Sequence, residues 1–463
     1  MNTYRASVGI LAAVLAVVLV ALHAPGQMSL DSVTALYEAE IGRAVGWGPP
    51  FFSAVLGWFG GGEVGATLFV ALNTLVTYGL FVVLLVSGVK PESLRRWRIV
   101  AAVLLAANPL FMFYAGVLWK DVLLATCTGL AVVLLLLQGG LRGIWFGMSV
   151  VLVLACTAAL PLIRQQGILL AVPLAIANGL AVSRQLASSR SARIAGLAGA
   201  VLLTGAASVL LASASAVRVK PLPASPVSVG VATIQAYDVI GMAAYALPDD
   251  RVVWARADQV AVRHMQVGYS PERIDTLWRD PAVRGYIDSM TPGQLQKIWM
   301  AGIQHDPVAY LTHRTQAFAA LLGIRGVAGC VPAYWGVAGD HRQLSALGLR
   351  EEMDGRDRLV GALAKTLASS PVFRHWWYAA MLLLATIALL RMPGRADAAL
   401  WAAAIGAWAY LLSFVPTSIA CDVRYLYPVA LIATLLCIRL LLSPPTLPVV
   451  RDSSRGGVGT RGD

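Results

Sequence analysis

The chain has 463 residues, of which 58% are hydrophobic and only 13% charged, with a formal net charge of +12 and a mean hydropathy of +0.70. So little charge over this length excludes a cytosolic enzyme and a disordered scaffold. Apolar runs recur at close to the roughly twenty residues that cross a hydrocarbon core of about 30 Å as helix, which makes this a polytopic membrane protein. The positive balance follows from topology, as shown below, and no nucleic-acid partner is expected.

In chain order, the runs predict ten transmembrane helices over about 8–25, 63–88, 99–116, 121–138, 144–162, 167–182, 194–213, 376–391, 398–415 and 426–443. The first resembles a signal peptide in having Arg5 ahead of an apolar run. Val8 to Leu22 is long for such a core, however, and Leu22 stands where cleavage wants a small residue, so a retained helix is expected. Short loops on one side collect Arg5, Lys90, Arg95, Arg96, Arg98, Arg142, Arg184, Arg190, Arg193, Arg391 and Arg395, and the tail adds Arg451, Arg455 and Arg461. The other side carries only Arg43, Lys120, Arg164 and Arg424 in its short loops. The positive-inside bias makes the first side cytoplasmic, with both termini there, in the cell inner (plasma) membrane.

The expected organisation is then helices one to seven over 1–213, including a long first outer loop at 26–62. An extracytoplasmic domain follows at 214–375, the last three helices lie within 376–443, and 444–463 is a disordered cytoplasmic tail. The Arg-Gly-Asp that closes the tail is a chance match. No internal repeat is visible, so the inverted halves of many transporters are not in evidence. The fold class is an all-α polytopic membrane protein with surface helices in the first outer loop and a mostly helical outer domain. Within that domain, Asp275 to Trp278, Thr291 to Trp299 and 305–324 read as helix. Pro307 sits in a first turn, and Val308, Leu311, Phe318 and Leu321 form one apolar face.

Cys127, Cys156 and Cys437 fall inside spans as small packing residues. Cys330 and Cys421 are the two on the outer face, where an oxidising compartment permits a bond tying the outer domain to the last outer loop.

Charged residues on the positive-poor side are the informative anomaly. In the first outer loop, Leu30, Val33, Tyr37 and Ile41 give one greasy face, as in a helix lying at the membrane surface, followed by a Pro49-Pro50 break and a second apolar segment. Asp31 is either a helix-start carboxylate favoured by the macrodipole or a catalytic group. Glu38 and Glu40 are read as solvated. Next, Lys120 and Asp121 sit between apolar runs at the outer start of the fourth helix. Asp121 can serve as an N-cap and Lys120 as an anchor beside Trp119, but a cation at a helix start is at the wrong end of the dipole, and a bound anion relieves it. Arg164, Gln165 and Gln166 lie in the tight turn LIRQQGIL, and Arg424 and Tyr425 in CDVRYLYP before the last helix. Each cation alone reads as an interface residue. Three from separate outer turns, with carboxylates near, point to a phosphate site at the membrane surface, since Arg forks bind phosphate oxygens bidentately and Lys adds a point charge.

No P-loop, HExxH or GxSxG accompanies them, and the six histidines show no metal spacing. A phosphate-bearing substrate is therefore expected from the membrane, as a lipid phosphate.

These residues carry a resemblance. Asp31 in SLDS, the aromatic-and-proline run WGPPFF, then NPLF and WKDVLLA, the RQQG turn, a large outer domain and RYLYP before the last helix occur in the order and placement of the GT-C superfamily of integral-membrane glycosyltransferases. The likeness covers most of the chain on short, degenerate motifs. WGPP stands where WHPP-like runs are common, and the acidic pair of some members is Asp31-Ser32 here. The resemblance implies hexosyl or pentosyl transfer from a polyprenyl-phosphate sugar to a glycan, lipid or protein acceptor, in cell-envelope glycan biosynthesis. The reaction would be an inverting single displacement, with Asp31 as the base for the acceptor hydroxyl. Lys120, Arg164 and Arg424 would hold the donor phosphate, supported by Asp121, Gln165, Tyr425 and Trp119. Some members need a divalent cation, and the sequence leaves the metal requirement open.

Two other readings stay open. A lipid-linked polysaccharide polymerase or ligase would use His and Arg of the outer domain, here His313-Arg314 or His341-Arg342, which otherwise read as a solvated helix face and a loop. A lipid or solute transporter would carry ionisable residues at mid-membrane depth, whereas the spans here hold almost none apart from Arg439.

Overall fold

In a computed structural model, residues 2–46, 48–87, 95–186, 189–223, 226–246, 258–327, 329–391 and 397–443 are described, and the statements below concern these. The predicted tail at 444–463, with its Arg-Gly-Asp, and Trp47 of WGPP lie outside them. The described residues are helical throughout, with isolated bridges and no strand.

Helix α1 (Asn2–His23) leads into two short helices, α2 (Leu30–Ile41) and α3 (Phe51–Trp58), before α4 (Gly62–Val86). The next run breaks at Ala107-Asn108 into α5 (Arg96–Ala106) and α6 (Pro109–Ala115). A single helix was expected at 99–116, but Pro109 has no N–H for the preceding turn, and Asn108 caps the second piece by accepting from the Leu110 N–H. Then come α7 (Lys120–Gln138), α8 (Gly143–Ile163), α9 (Ile168–Leu186), α10 (Arg190–Arg218) and α11 (Pro226–Tyr245). Smaller helices follow: α12 (Gln259–Gly268), α13 (Asp275–Trp278), α14 (Pro281–Asp288), α15 (Pro292–His305), α16 (Pro307–Leu321), α17 (His341–Ala346) and α18 (Gly355–Leu367). The chain returns to apolar helix in α19 (His375–Arg391), α20 (Ala398–Thr417) and α21 (Tyr427–Leu442).

Ten helical runs among the described residues, with α5 and α6 counted together as Arg96–Ala115 and the last taken with the turn before α21 as Val423–Leu442, are long and apolar enough to cross a membrane, which makes this a multi-pass membrane protein. Their membership differs from the sequence reading in one exchange. The stretch 227–245, expected as part of the outer domain, meets the length and hydropathy of a span, whereas α19 has only 17 residues. Despite its apolar character, α11 packs against α12, α15 and α16 rather than among the long helices. Asp238 midway along it anchors it to those partners.

Helices α7 and α21 form the centre, with α4, α5, α8, α19 and α20 around them, while α1 and α10 flank the bundle. At one end the connecting segments knit together. The Gln27 N–H donates to the Gly116 carbonyl at 2.8 Å, Met28 to Gly336 at 2.9 Å, Lys220 to Gly42 at 2.9 Å and Ile274 to Ile419 at 3.0 Å. Gly42 allows the first exchange of direction, since it ends α2 at φ 66°, where a side chain is strained. Cys330 and Cys421 form a disulfide, and the Cys421 N–H donates to the Glu272 carbonyl at 2.7 Å, so the smaller helices are fixed to the connection before α21.

One apolar face differs from expectation. In α16 the residues that bury are Ala309, His313, Arg314, Ala317, Ala320 and Leu321, while Val308 and Leu311 are exposed. Polar partners across the interface turned the helix.

Candidate functional site

The knitted end encloses a cavity of about 580 Å³, a size common for small-molecule sites. Its walls come from α2, α9, α11, α20 and the turns before α7, α9 and α21. Asp31, Trp119, Lys120, Arg164, Gln165, Arg424 and Tyr425, all singled out in the sequence, line it. Residues from four places in the chain therefore converge.

Local chemistry explains how each is held. Asp31 is the second residue of α2, where the helix dipole favours a carboxylate. The start of α2 is pinned to the turn before α7, because the Ser32 hydroxyl donates to the Leu118 carbonyl at 2.7 Å and the Trp119 indole donates to the Ser29 hydroxyl at 2.8 Å. Asp31 is thus not only a helix-start carboxylate. Its side chain is 61% exposed, but to the cavity, and the Arg424 guanidinium donates to it at 2.5 Å. The Arg424 charge holds the Asp31 carboxyl below the usual carboxylate range against the opposing effect of burial, and Lys120 adds to the pull.

Arg424 sits between two carboxylates, since Asp422 lies 3.3 Å from its other terminal nitrogen. Asp422 in turn accepts from Arg273 at 2.7 Å, which links the smaller helices to the cavity. Burial pushes the Asp422 carboxyl up, against the pull of Arg424 and Arg273. The Arg424 guanidinium also lies over the Trp119 ring at 5.0 Å and the Tyr425 ring at 5.5 Å, a geometry that favours a cation.

Arg164 stands at the end of α8, where the turn through Gln165 and Gln166 is tight. A Cβ at Gly167 would lie 2.1 Å from the Leu160 carbonyl oxygen, so only glycine fits. Arg164 pairs with Asp121 on α7, donates from Nε to Gln166 at 3.2 Å, and lies over the rings of Tyr425 at 4.5 Å and Phe414 at 5.2 Å. Lys120, the first residue of α7, reaches the cavity under the Gly48 backbone, where a Cβ would lie 3.4 Å from its Nζ.

Several readings of the sequence are corrected. Asp121 is not an N-cap: Trp119 holds that position, and Asp121 is fully buried behind Arg164, off the cavity wall. The cap reading failed because the ion pair to Arg164 comes from a residue 43 positions away. Glu38, read as solvated, is 5% exposed and accepts from the Val45 and Gly46 N–H groups and the Ser53 hydroxyl at 2.6–2.8 Å. It holds Val45, Gly46 and Ser53 together beside the cavity, since a carboxylate that accepts several hydrogen bonds organises the donors around it.

His313 and Arg314, read as a solvated face, are both buried around Asp238. His313 Nε2 lies 3.3 Å and Arg314 Nε 2.5 Å from Oδ1, and the Trp299 indole donates to Oδ2 at 2.8 Å. Burial lowers the His313 pKa. This cluster knits α11, α15 and α16 and does not line the cavity. His341 and Arg342 are exposed at the start of α17.

Asp422, Phe414 and Arg273 are site-forming residues that were not singled out, whereas Gln166 was named with the turn that holds Arg164. Asp422 had a signal, being an acid two residues before Arg424 at the edge of an apolar run. Phe414 had none, because an aromatic in a span ordinarily means packing. Among the described residues no three His, Cys, Asp or Glu side chains converge as metal ligands.

No protein-family model matches the chain, and no curated protein or solved structure matches it. The functional reading therefore rests on the geometry of this cavity.

Proposed function

We propose that the protein is a membrane glycosyltransferase of GT-C type, moving a hexosyl or pentosyl group from a polyprenyl-phosphate donor to an acceptor hydroxyl at the outer face of the plasma membrane. The observation that carries this reading is the meeting of Asp31 with three cations from separate turns, Lys120, Arg164 and Arg424, in a cavity whose wall is mainly apolar. Cations converging on a cavity are complementary to an anion, and the bundle around it points to one delivered by the bilayer.

In this reading the donor phosphate lies among the three cations and Asp31 faces the anomeric carbon. The acceptor hydroxyl attacks that carbon from the side opposite the phosphate, giving its proton to Asp31 as the new carbon–oxygen bond forms and the bond to phosphate oxygen breaks. The bonding pair leaves with the polyprenyl phosphate, and the fixed cations offset its growing charge. Inversion follows from the single displacement. Asp121 acts through Arg164, holding its fork toward the cavity, and Trp119 and Tyr425 flank Arg424. The acceptor is a glycan, lipid or protein, and a divalent cation is not assigned a place.

The Asp31–Arg424 pair fits the cycle as the ligand-free arrangement. A carboxylate held below its usual range is a weak base. When a donor phosphate draws Arg424 away, the lowering influence on Asp31 falls and its basicity recovers. Of the polymerase candidates, His313 and Arg314 are taken up by the Asp238 cluster and His341 and Arg342 are exposed away from the cavity lining, and no observation favours that reading over the transferase. The test is transfer from radiolabelled polyprenyl-phosphate sugars by purified protein, with a membrane extract as acceptor. Wild type is expected to transfer sugar and Arg164→Gln to lose affinity for the donor. Binding of the donor with no transfer by wild type would move a transporter to the front.

A further inference from the structure

Helix α18 is fastened to the end of a membrane-spanning helix. Arg356 donates from Nη1 to the Ala21 carbonyl, in the last turn of α1, at 2.9 Å. Just beyond that turn, the Gln27 amide donates to Asp357 at 2.9 Å. Val14, Val17 and Val18 of α1 are exposed, as on a helix whose outward side meets lipid. At its other end α18 leads through 368–374 into α19, which packs in the bundle on α20 and α21. The first turn of α19 exposes Trp376 and Trp377, and indole rings favour the membrane–water interface. Both connections therefore set α18 at the depth of the lipid headgroups.

The helix has an inward and an outward face. Val360, Gly361 and Ala364 are buried, and the inward packing is close, since a Cβ at Gly361 would lie 2.7 Å from Trp335 Nε1. Leu359 and Leu363, one turn apart, are 53% and 49% exposed on the outward face. By helical spacing Arg356 borders this pair on one side and Arg358 and Lys365 on the other, and all three are exposed. Two acids near its start are engaged elsewhere. Asp354 pairs with Arg356 at 2.8 Å, and Asp357 takes the Gln27 amide. Glu351 and Glu352 precede the helix and line a separate hollow with Tyr334. A leucine ridge edged by cations suits the headgroup layer, where the leucines enter the acyl boundary and the long cations reach up to phosphates.

We propose that α18 lies on the membrane surface and docks through Leu359 and Leu363 on anionic lipid, with Arg358 and Lys365 pairing with the headgroups. The proposal is independent of the reaction assigned to the cavity. Charge complementarity and the tie to the end of α1 select lipid over a second protein, because leucines and cations are satisfied together by one acyl-and-phosphate layer. The docking has a consequence for α2. Gln27, held by Asp357, donates its N–H to the Gly116 carbonyl at 2.8 Å and accepts from the Leu118 N–H at 3.1 Å. The lipid-held helix thus fixes the stretch of chain that leads into α2, three residues before that helix begins.

The experiment uses the full chain in nanodiscs of equimolar phosphatidylglycerol and phosphatidylcholine, with the photocrosslinker p-benzoylphenylalanine in place of Leu363. Irradiation is expected to give lipid adducts in which phosphatidylglycerol exceeds phosphatidylcholine by roughly fivefold, the ratio expected where each nearby cation attracts anionic lipid by about 1 kcal/mol. The same crosslinker in place of Val267, exposed on α12, is expected to give no lipid adduct. Arg358→Gln with Lys365→Gln should bring the two lipids back to equal shares while the adduct at 363 persists. High salt should do the same without any substitution, so the charge dependence is read even where the double variant misfolds. No lipid adduct at 363, or adducts at both positions alike, overturns the docking. Equal shares in the unsubstituted chain overturn the preference for anionic lipid, and an adduct to a second copy of the chain replaces the lipid surface with a protein interface.

Discussion

The Arg424 guanidinium rests 2.5 Å from the Asp31 carboxylate across 393 residues of chain, with Asp422 3.3 Å from its other fork. One cation is thus shared by two carboxylates of unlike surroundings, Asp31 open to the cavity and Asp422 buried against Arg273. In the proposed cycle this lets Arg424 turn to a phosphate without being left unpaired.

The first prediction concerns pH. Asp31 is lowered chiefly by Arg424, so in the ligand-free protein it stays ionised down to pH values below the usual carboxylate range. In Arg424→Gln that lowering is lost and the Asp31 pKa rises toward the ordinary value of about 4. The acid limb of the kcat/KM profile, which reports the free enzyme, should therefore move to higher pH in the variant. An unmoved limb in a variant that still turns over would remove Asp31 as the titrating group.

A second prediction concerns the buried pair of Arg164 and Asp121. Asp121→Ala leaves a guanidinium buried without its carboxylate, which costs about 3–5 kcal/mol where a buried pair is broken. A clear fall in melting temperature is expected, and Asp121→Leu with Arg164→Met together should recover part of it. A double variant as unstable as the sum of the singles would show that the two residues do not act as a pair.

For the disulfide, thiol titration of denatured, unreduced protein should count three reactive cysteines, Cys127, Cys156 and Cys437. Cys421→Ser releases a closed loop with a sequence separation of 91 residues, worth about 4.6 kcal/mol in the chain-entropy account. A lower melting temperature is expected, together with weaker donor binding, since Asp422 follows Cys421 directly. Five reactive thiols would contradict the bond.

His313→Gln separates the transferase from the polymerase reading. The buried ring serves packing around Asp238, so the variant should melt earlier yet keep its turnover per folded molecule. Selective loss of turnover at unchanged melting temperature would instead put the chemistry at His313.

Much of this arrangement was legible because a membrane chain announces its exceptions. Asp31, Lys120, Arg164 and Arg424 are charges beside apolar runs, on the side poor in cations, and a lone charge in such a place needs a partner. The partners themselves were less legible. Asp121 and Arg164 are joined only by the packing of α7 on α8, and Glu38 looks like any helix-surface acid until Val45, Gly46 and Ser53 donate to it. His313 and Arg314 look solvated because Asp238 lies in α11, a helix whose apolar run was absorbed into the outer domain. The sequence reading marked no separate helix at 226–245, and the packing places α11 with α12, α15 and α16.

The most direct test of the central claim is sugar transfer by Asp31→Asn, with donor binding measured on the same preparation. Asparagine keeps the shape of the side chain and cannot take the proton, so transfer should fall by about 10²–10⁴-fold while the polyprenyl-phosphate donor binds at least as tightly as to wild type, Arg424 having lost its competing carboxylate. Transfer at the wild-type rate by Asp31→Asn would contradict the account.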